Sequence, residues 1–137
     1  DGTSSEQVLK FFAYKNDSEA FSGAVTTFLN NFTSKSQTGF NYAIERDLFE
    51  KTVRFLAELL DGPFLRNRTS VTPLVQFEAC TVAIGTILSE GNSPTAPAVD
   101  WLNDAELVAS STGGTNTRSM LARRVNRAKA LFSGAGN

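Results

Sequence analysis

The chain has 137 residues, of which 41% are hydrophobic and 20% are charged, with 13 basic side chains, 14 acidic ones and no histidine. This composition is that of one folded domain, and the chain is long enough to bury a core without disulfide bonds. The absence of histidine excludes the Ser-His-Asp and Cys-His types of catalytic site and every histidine-containing metal site. A single cysteine excludes an internal disulfide and thiolate metal clusters.

Apolar residues recur with the period of an α-helix, and the pattern predicts six helices and no strand. The first helix covers about residues 4–14. The second begins after Asp17 or Ser18, and its apolar face runs from Phe21 to Phe32. The third covers about residues 41–61 and ends at Asp61-Gly62-Pro63, because glycine favours a C-terminal cap and proline cannot continue a helix.

The fourth helix begins at Thr72-Pro73 and is apolar on nearly every side from Leu74 to Leu88, which predicts a buried central helix. Residues 89–97 predict a loop. A fifth helix is expected at about 98–110, and a sixth at about 116–132, after a break at Gly113-Gly114. We therefore expect an all-α fold, a single helical bundle over residues 1–133 with a disordered tail at 134–137.

The eleven phenylalanines predict a core filled by aromatic side chains from several helices. No apolar run approaches the roughly 18–20 residues that span a bilayer, and the first residues lack the basic and apolar parts of a signal peptide. With the lone cysteine, this predicts a cytoplasmic protein without membrane contact. The chain begins without methionine, and we expect a domain cut from a larger protein, with a processed product as the alternative.

Charge is distributed unevenly along the chain. The first 106 residues hold all fourteen acids and eight bases, whereas residues 107–137 hold five bases and no acid. A basic helix without acids can dock on phosphate, so we take these five as candidate nucleic-acid-binding residues. They are Arg118, Arg123, Arg124, Arg127 and Lys129.

Within this set, Arg123 and Arg127 stand four residues apart and share a face nearly opposite the apolar stripe of the sixth helix. The other three flank that stripe. Five charges without interleaved aromatic residues are few for a nucleic-acid site. The alternatives are a solvated face, or ion pairs with the acidic surface of the third and fifth helices.

Glu78 lies inside the apolar run of the fourth helix, where an unpaired carboxylate would cost several kcal/mol. We expect an exposed edge or a structural ion pair with an arginine such as Arg46, Arg66 or Arg68; a functional-site carboxylate is the alternative. Cys80 is expected to be a core residue, since no base can be assigned to it. No catalytic residue, metal site or cofactor is expected in this chain.

Several segments, taken in order, carry a family resemblance. Residues 6–14, E-Q-V-L-K-F-F-A-Y, are similar to an E-x-V-L-R-F-F-A stretch, and residues 28–32, F-L-N-N-F, to an F-L-N-x-Y/F helix end. Residues 49–51 with 62–66 resemble an F…G-x-x-x-F-R segment, and residues 74–79 an N-x-A-L-F-E-A entry into a buried helix. In this order the segments resemble the GmrSD-type, ParB-like family of bacterial proteins.

The similarity covers roughly residues 5–90. Lys10 stands where the family has arginine, and Thr72-Pro73 replaces an asparagine. The resemblance implies the helical region that follows a nucleoside-triphosphate-using core with a D-G-Q-Q-R signature. Members act as modification-dependent restriction or anti-phage proteins, and many carry a separate His-Asn-His nuclease domain. Neither part is in this chain, which has no such signature and no histidine.

The expected function is a helical scaffold or regulatory domain of a bacterial DNA restriction or anti-phage defence protein. Its expected partner is the remainder of its own polypeptide, with DNA and a second copy of the chain as further candidates. One alternative is a protein–protein interaction or dimerisation bundle with no nucleic-acid role. Another is an enzyme fragment whose active site is completed by residues outside this chain.

Overall fold

The computed structural model describes residues 2–36, 39–60, 72–97, 101–112 and 117–134. These residues form six α-helices and no β-strand, so the predicted all-α fold is confirmed. Short 3₁₀ helices lie at Ser18–Ala20 and Trp101–Asn103. The α-helices are α1 Gly2–Asp17, α2 Val25–Lys35, α3 Tyr42–Leu60, α4 Thr72–Ser89, α5 Ala105–Ala109 and α6 Arg118–Phe132.

Helix α4 lies at the centre, as its apolar sequence predicts. Helices α1, α3, α5 and α6 all contact it. The side chains of Cys80, Ala83 and Ile84 have no exposed surface, and Val82 and Ile87 have almost none. A helix with apolar residues around its whole circumference is stable in water only when other elements cover it on all sides.

Two groups of side chains form the core. The first is largely aromatic and joins α1 to α2 and α3; within it, the ring of Tyr14 stacks on Phe28, with centroids 5.4 Å apart. The second packs side chains of other elements around Cys80, Ala83, Ile84 and Ile87 of α4. The main ones are Leu56, Trp101, Leu107 and Phe132. Aromatic residues from several helices thus fill much of the core, as expected.

Helix α2 begins at Val25, and the expectation that it starts after Asp17 or Ser18 is wrong. A 3₁₀ turn follows α1, and Phe21 continues in extended conformation. Gly23 then has a φ of 103°, a value that interrupts a right-handed helix and that glycine adopts without steric cost. Phe21 is nevertheless fully buried, so the apolar spacing identified its burial but not its backbone conformation.

The fifth predicted helix is also shorter than expected. Asp104 has a non-helical backbone, with φ −54° and ψ 129°, and its carboxylate accepts a hydrogen bond from the Leu107 N–H at 3.0 Å. It therefore caps a new helix, and the segment divides into the 3₁₀ helix Trp101–Asn103 and the five-residue α5.

Three predicted features lie outside the described residues. They are the expected stop at Asp61-Gly62-Pro63, the break at Gly113-Gly114 and most of the tail.

Helices α1 and α4 approach closely at Gly85. A Cβ atom added there would lie 2.5 Å from Cζ of Phe11, a buried ring in the aromatic half of the core. The backbone of α4 is right-handed helical at this position, a conformation that any residue can adopt. Glycine is therefore required here by the close packing of the two helices and not by the backbone conformation.

We expect Gly85→Ala to lower the free energy of unfolding by about 1–2 kcal/mol, because overpacking the Phe11 ring outweighs the gain of up to ~1 kcal/mol in helix propensity. Urea unfolding of Gly85→Ala, Phe11→Leu and the double variant measures this. The double variant should lose less free energy of unfolding than the sum of the losses in the two single variants. Additive losses would show that the two residues do not interact.

Candidate functional site

Helix α6 carries the five cations that the sequence singles out. It begins at Arg118, and the hydroxyl of Thr117 caps it by accepting a hydrogen bond from the Met120 N–H at 3.1 Å. Its inner face holds the buried residues Leu121, Ala128, Leu131 and Phe132, with Val125 partly buried beside them. The cations are therefore fixed in orientation by the packing of this face.

Arg123 and Arg127 each form a two-pronged ion pair. Arg123 donates to both carboxylate oxygens of Glu106, at 3.0 and 2.7 Å. Arg127 donates to both oxygens of Asp104, at 2.9 and 2.7 Å. The hydrogen bonds from these arginines lower the pKa of both carboxyl groups. The alternative of pairing with the fifth helix is thus confirmed for both residues.

The remaining surface cations differ from each other. Lys129 pairs with Glu90, in the turn after α4, at 2.9 Å. Arg118 is exposed, and no ion pair to it is found among the described residues. Three of the four surface cations on α6 therefore have a carboxylate beside them, which leaves little uncompensated positive charge on this face.

Arg124 is buried, with only 3% of its surface exposed, and does not lie on the exposed face with the other cations. Its Nη1 donates to the Ser110 carbonyl oxygen at 3.4 Å. Burial lowers the pKa of the guanidinium, and the nearby Tyr14 and Glu78 oppose that shift. The expectation that Arg124 lies beside the apolar stripe as a nucleic-acid-binding residue is wrong, because the residue is in the interior.

Glu78 forms the structural ion pair that its position requires, but with a different partner from those expected. Its carboxylate accepts from Lys10 Nζ at 2.9 Å and from Gln7 Nε2 at 3.4 Å. The side chains of Glu78 and Lys10 are only 11% and 15% exposed. Arg46 instead pairs with Glu50 on its own helix, and the other two expected partners, Arg66 and Arg68, lie outside the described residues.

Tyr14 lies one turn beyond Lys10 on α1 and was not singled out by the sequence. It is 4% exposed, and no hydrogen bond to its hydroxyl is found among the described residues. Burial raises the pKa of Tyr14 to about 12; Glu78 adds to this shift and Arg124 opposes it. The side chains of Tyr14, Glu78 and Arg124 thus bring α1, α4 and α6 into electrostatic contact.

A pocket of about 240 Å³ opens beside this group of charges, between α1, the following 3₁₀ helix and α6. We name it the α1–α6 pocket. Its wall is mainly apolar, with two charged side chains of opposite sign, Glu19 on the 3₁₀ helix and Arg118 on α6. The lining residues are Tyr14, Ser18, Glu19, Arg118, Leu121, Ala122, Val125 and Asn126.

The thiol and carboxylate groups of the described residues are dispersed or buried. They contain no group of three or more Cys, Asp or Glu side chains placed to hold a metal ion. Cys80 is fully buried, as expected, and burial raises the pKa of its thiol. The described helices include none with the length and apolar character needed to cross a bilayer.

Comparison of the chain with family models, curated protein sequences and solved structures gives no significant match. The similarity to the GmrSD-type family therefore rests on the sequence segments alone. The local geometry instead supports three things: ion pairs between helices, a buried polar group at the junction of α1, α4 and α6, and the α1–α6 pocket.

We expect Asp104→Ala to destabilise the domain by about 1–2 kcal/mol, because it removes a helix cap and the partner of Arg127 together. Asp47→Ala is the matched control, since Asp47 pairs with Lys51 on the surface of α3 and both side chains are more than half exposed. That variant should change the stability by less than about 0.5 kcal/mol. Equal losses in thermal unfolding would contradict the role of Asp104.

Stability should also fall with rising pH in a way that depends on Tyr14. Its folded pKa of about 12 exceeds the ordinary value of 10.0, so the folded state favours the neutral phenol. That contribution is fully present below pH 10 and is lost as the pH rises through about 12. Unfolding free energies measured over this window should decline more in the native chain and in Tyr42→Phe than in Tyr14→Phe. Parallel curves for the three proteins would show that Tyr14 does not carry the effect.

Proposed function

We propose that this chain is a non-catalytic helical scaffold domain of a larger protein of the bacterial restriction or anti-phage type. The observation that carries the proposal is the use of the charged side chains of α6 in ion pairs within the domain. Arg123 and Arg127 join α6 to α5 and its cap, and Lys129 joins it to the turn after α4. These pairs direct the cations of α6 toward neighbouring elements, and the pair of Arg127 with Asp104, whose side chains are 29% and 16% exposed, is the least exposed of the three.

The ion pairs of α1 support the same proposal. Lys10 pairs with Glu78 of α4, and Lys15 pairs with Glu45 of α3 at 3.0 Å, with side chains 7% and 13% exposed. Breaking such a buried pair is strongly destabilising, whereas an exposed pair contributes little. These contacts favour one fixed arrangement of α1, α3 and α4, which suits a domain that supports another part of its polypeptide.

The family resemblance supplies the rest of the proposal. The GmrSD-type segments lie mostly on α1, α2, α3 and α4, in the order in which those helices follow one another. Lys10, which stands where the family has arginine, is the residue that pairs with Glu78. We infer that an arginine in the family would make the same contact, so this difference preserves the ion pair. The nucleoside-triphosphate-using core would then lie elsewhere in the parent protein.

The alternative of a protein–protein interaction or dimerisation bundle is favoured by one surface feature. Tyr42 and Ile44, in the first turn of α3, are 46% and 57% exposed and are the large hydrophobic residues most open to solvent among those described. Two exposed apolar side chains make a small patch, below the size of a typical interface. The scaffold proposal is therefore better supported than an interaction or dimerisation bundle.

A DNA-binding measurement separates the scaffold from a direct DNA contact. We expect the chain to bind a labelled DNA duplex weakly in fluorescence anisotropy at low and at physiological salt. Arg123→Ala with Arg127→Ala should leave that binding unchanged, because both guanidinium groups are already bonded to carboxylates.

Arg46→Ala with Arg54→Ala, two exposed positions on α3, is the matched control for removing two positive charges. The proposal fails if the chain binds tightly with a steep salt dependence and only the α6 double variant weakens the binding and flattens that dependence. Such a result would assign α6 to the phosphate backbone of DNA.

A further inference from the structure

The α1–α6 pocket has the features of a small-molecule site that the scaffold function does not use. The buried side chain of Leu121 and the partly buried Val125 form an apolar wall, and Ala122 adds a small side chain at the opening. A concave apolar surface with a few polar groups is the usual form of a ligand pocket. A volume of about 240 Å³ has room for a small ligand of on the order of eight non-hydrogen atoms.

Tyr14 provides the polar group inside the pocket. The residue is 4% exposed and lines the pocket, and among the described residues its hydroxyl has no hydrogen-bond partner. A ligand oxygen can accept a hydrogen bond from this hydroxyl, so the pocket favours an acceptor at its Tyr14 end.

The charges around the pocket favour an anion on the α6 side. Arg118 lines that side and is exposed, while Glu19 lines the opposite side and would repel a negative group. The Glu78 carboxylate behind Tyr14 already has the ammonium of Lys10 at 2.9 Å. Arg124 is close enough to Tyr14 to oppose the rise in its pKa. Arg118 is therefore the cation on the α6 side of the pocket, and Glu19 lies across from it on the 3₁₀ helix.

We propose that the α1–α6 pocket binds a small carboxylic acid with a branched aliphatic or aromatic body. Its carboxylate pairs with Arg118 and accepts a hydrogen bond from the Tyr14 hydroxyl. Its apolar body packs against Leu121 and Val125. The proposal is independent of the scaffold function, because none of these four residues takes part in the ion pairs that hold the helices together.

Methyl NMR of the 137-residue chain, titrated with 4-methylpentanoate, tests the proposal. The methyl signals of Leu121 and Val125 should shift in a saturable way. The neutral probe 4-methylpentanamide has the same body and should bind about tenfold more weakly, because its amide cannot form an ion pair with Arg118 and its hydrogen bonds are not charge-assisted. Equal affinity for acid and amide would overturn the assignment of a carboxylate.

Three variants and a control locate the site. Arg118→Gln should weaken binding of 4-methylpentanoate about tenfold and Tyr14→Phe about fivefold, the latter with its ring contacts retained. Ala122→Phe, at an exposed position of α6, should fill the pocket and abolish binding in a folded protein. Arg46→Gln, which removes an exposed cation on α3, should leave binding unchanged. Binding that survives Ala122→Phe, or an absence of shifts at Leu121 and Val125, would overturn the proposal.

Discussion

Helix α4 is apolar around nearly its whole circumference, and its burial sets the conditions that the other helices meet. Four of them contact it, and α1 approaches so closely that position 85 has no room for a side chain. The single carboxylate within the run, Glu78, cannot be buried alone, so whichever helix covers it must also bring a cation. Lys10 of α1 meets this requirement, and the same helix supplies the Phe11 ring that packs against Gly85. The apolar and the ionic contacts of α1 therefore both follow from the burial of α4.

The basic α6 shows how tertiary contacts change the meaning of a charge pattern. A helix with five cations and no acid looks like a surface for anions, yet the compensating acids come from Asp104, Glu106 and Glu90, which lie earlier in the chain. Bidentate pairs of arginine with carboxylate have fixed geometry, and they tie the short α5 to α6. This matters because α5 has only five residues, too few to be a stable helix by itself.

The buried junction of Tyr14, Glu78 and Arg124 connects the structural and the binding proposals. Glu78 and Arg124 act in opposite directions on the Tyr14 phenol, and burial keeps that phenol neutral. A neutral tyrosine is a hydrogen-bond donor, which is the property that the α1–α6 pocket requires for a carboxylate ligand. A ligand in this pocket contacts both helices, through Tyr14 of α1 and Arg118 of α6.

The sequence by itself determined the all-α fold, the central position of α4, the core location of Cys80 and the cost of burying Glu78 without a partner. Each of these follows from local periodicity or from the cost of burying a polar group. Both causes act whichever helices become neighbours. Only the tertiary structure decided that the partner is Lys10 rather than an arginine, that Arg124 is interior, and that Arg123 and Arg127 face acids. The start of α2 and the division of the fifth helix also escaped the periodicity, because the φ of Gly23 and the cap at Asp104 are backbone choices that an apolar spacing does not record. The α1–α6 pocket could not be foreseen at all, since its wall joins residues about a hundred positions apart that only helix packing brings together.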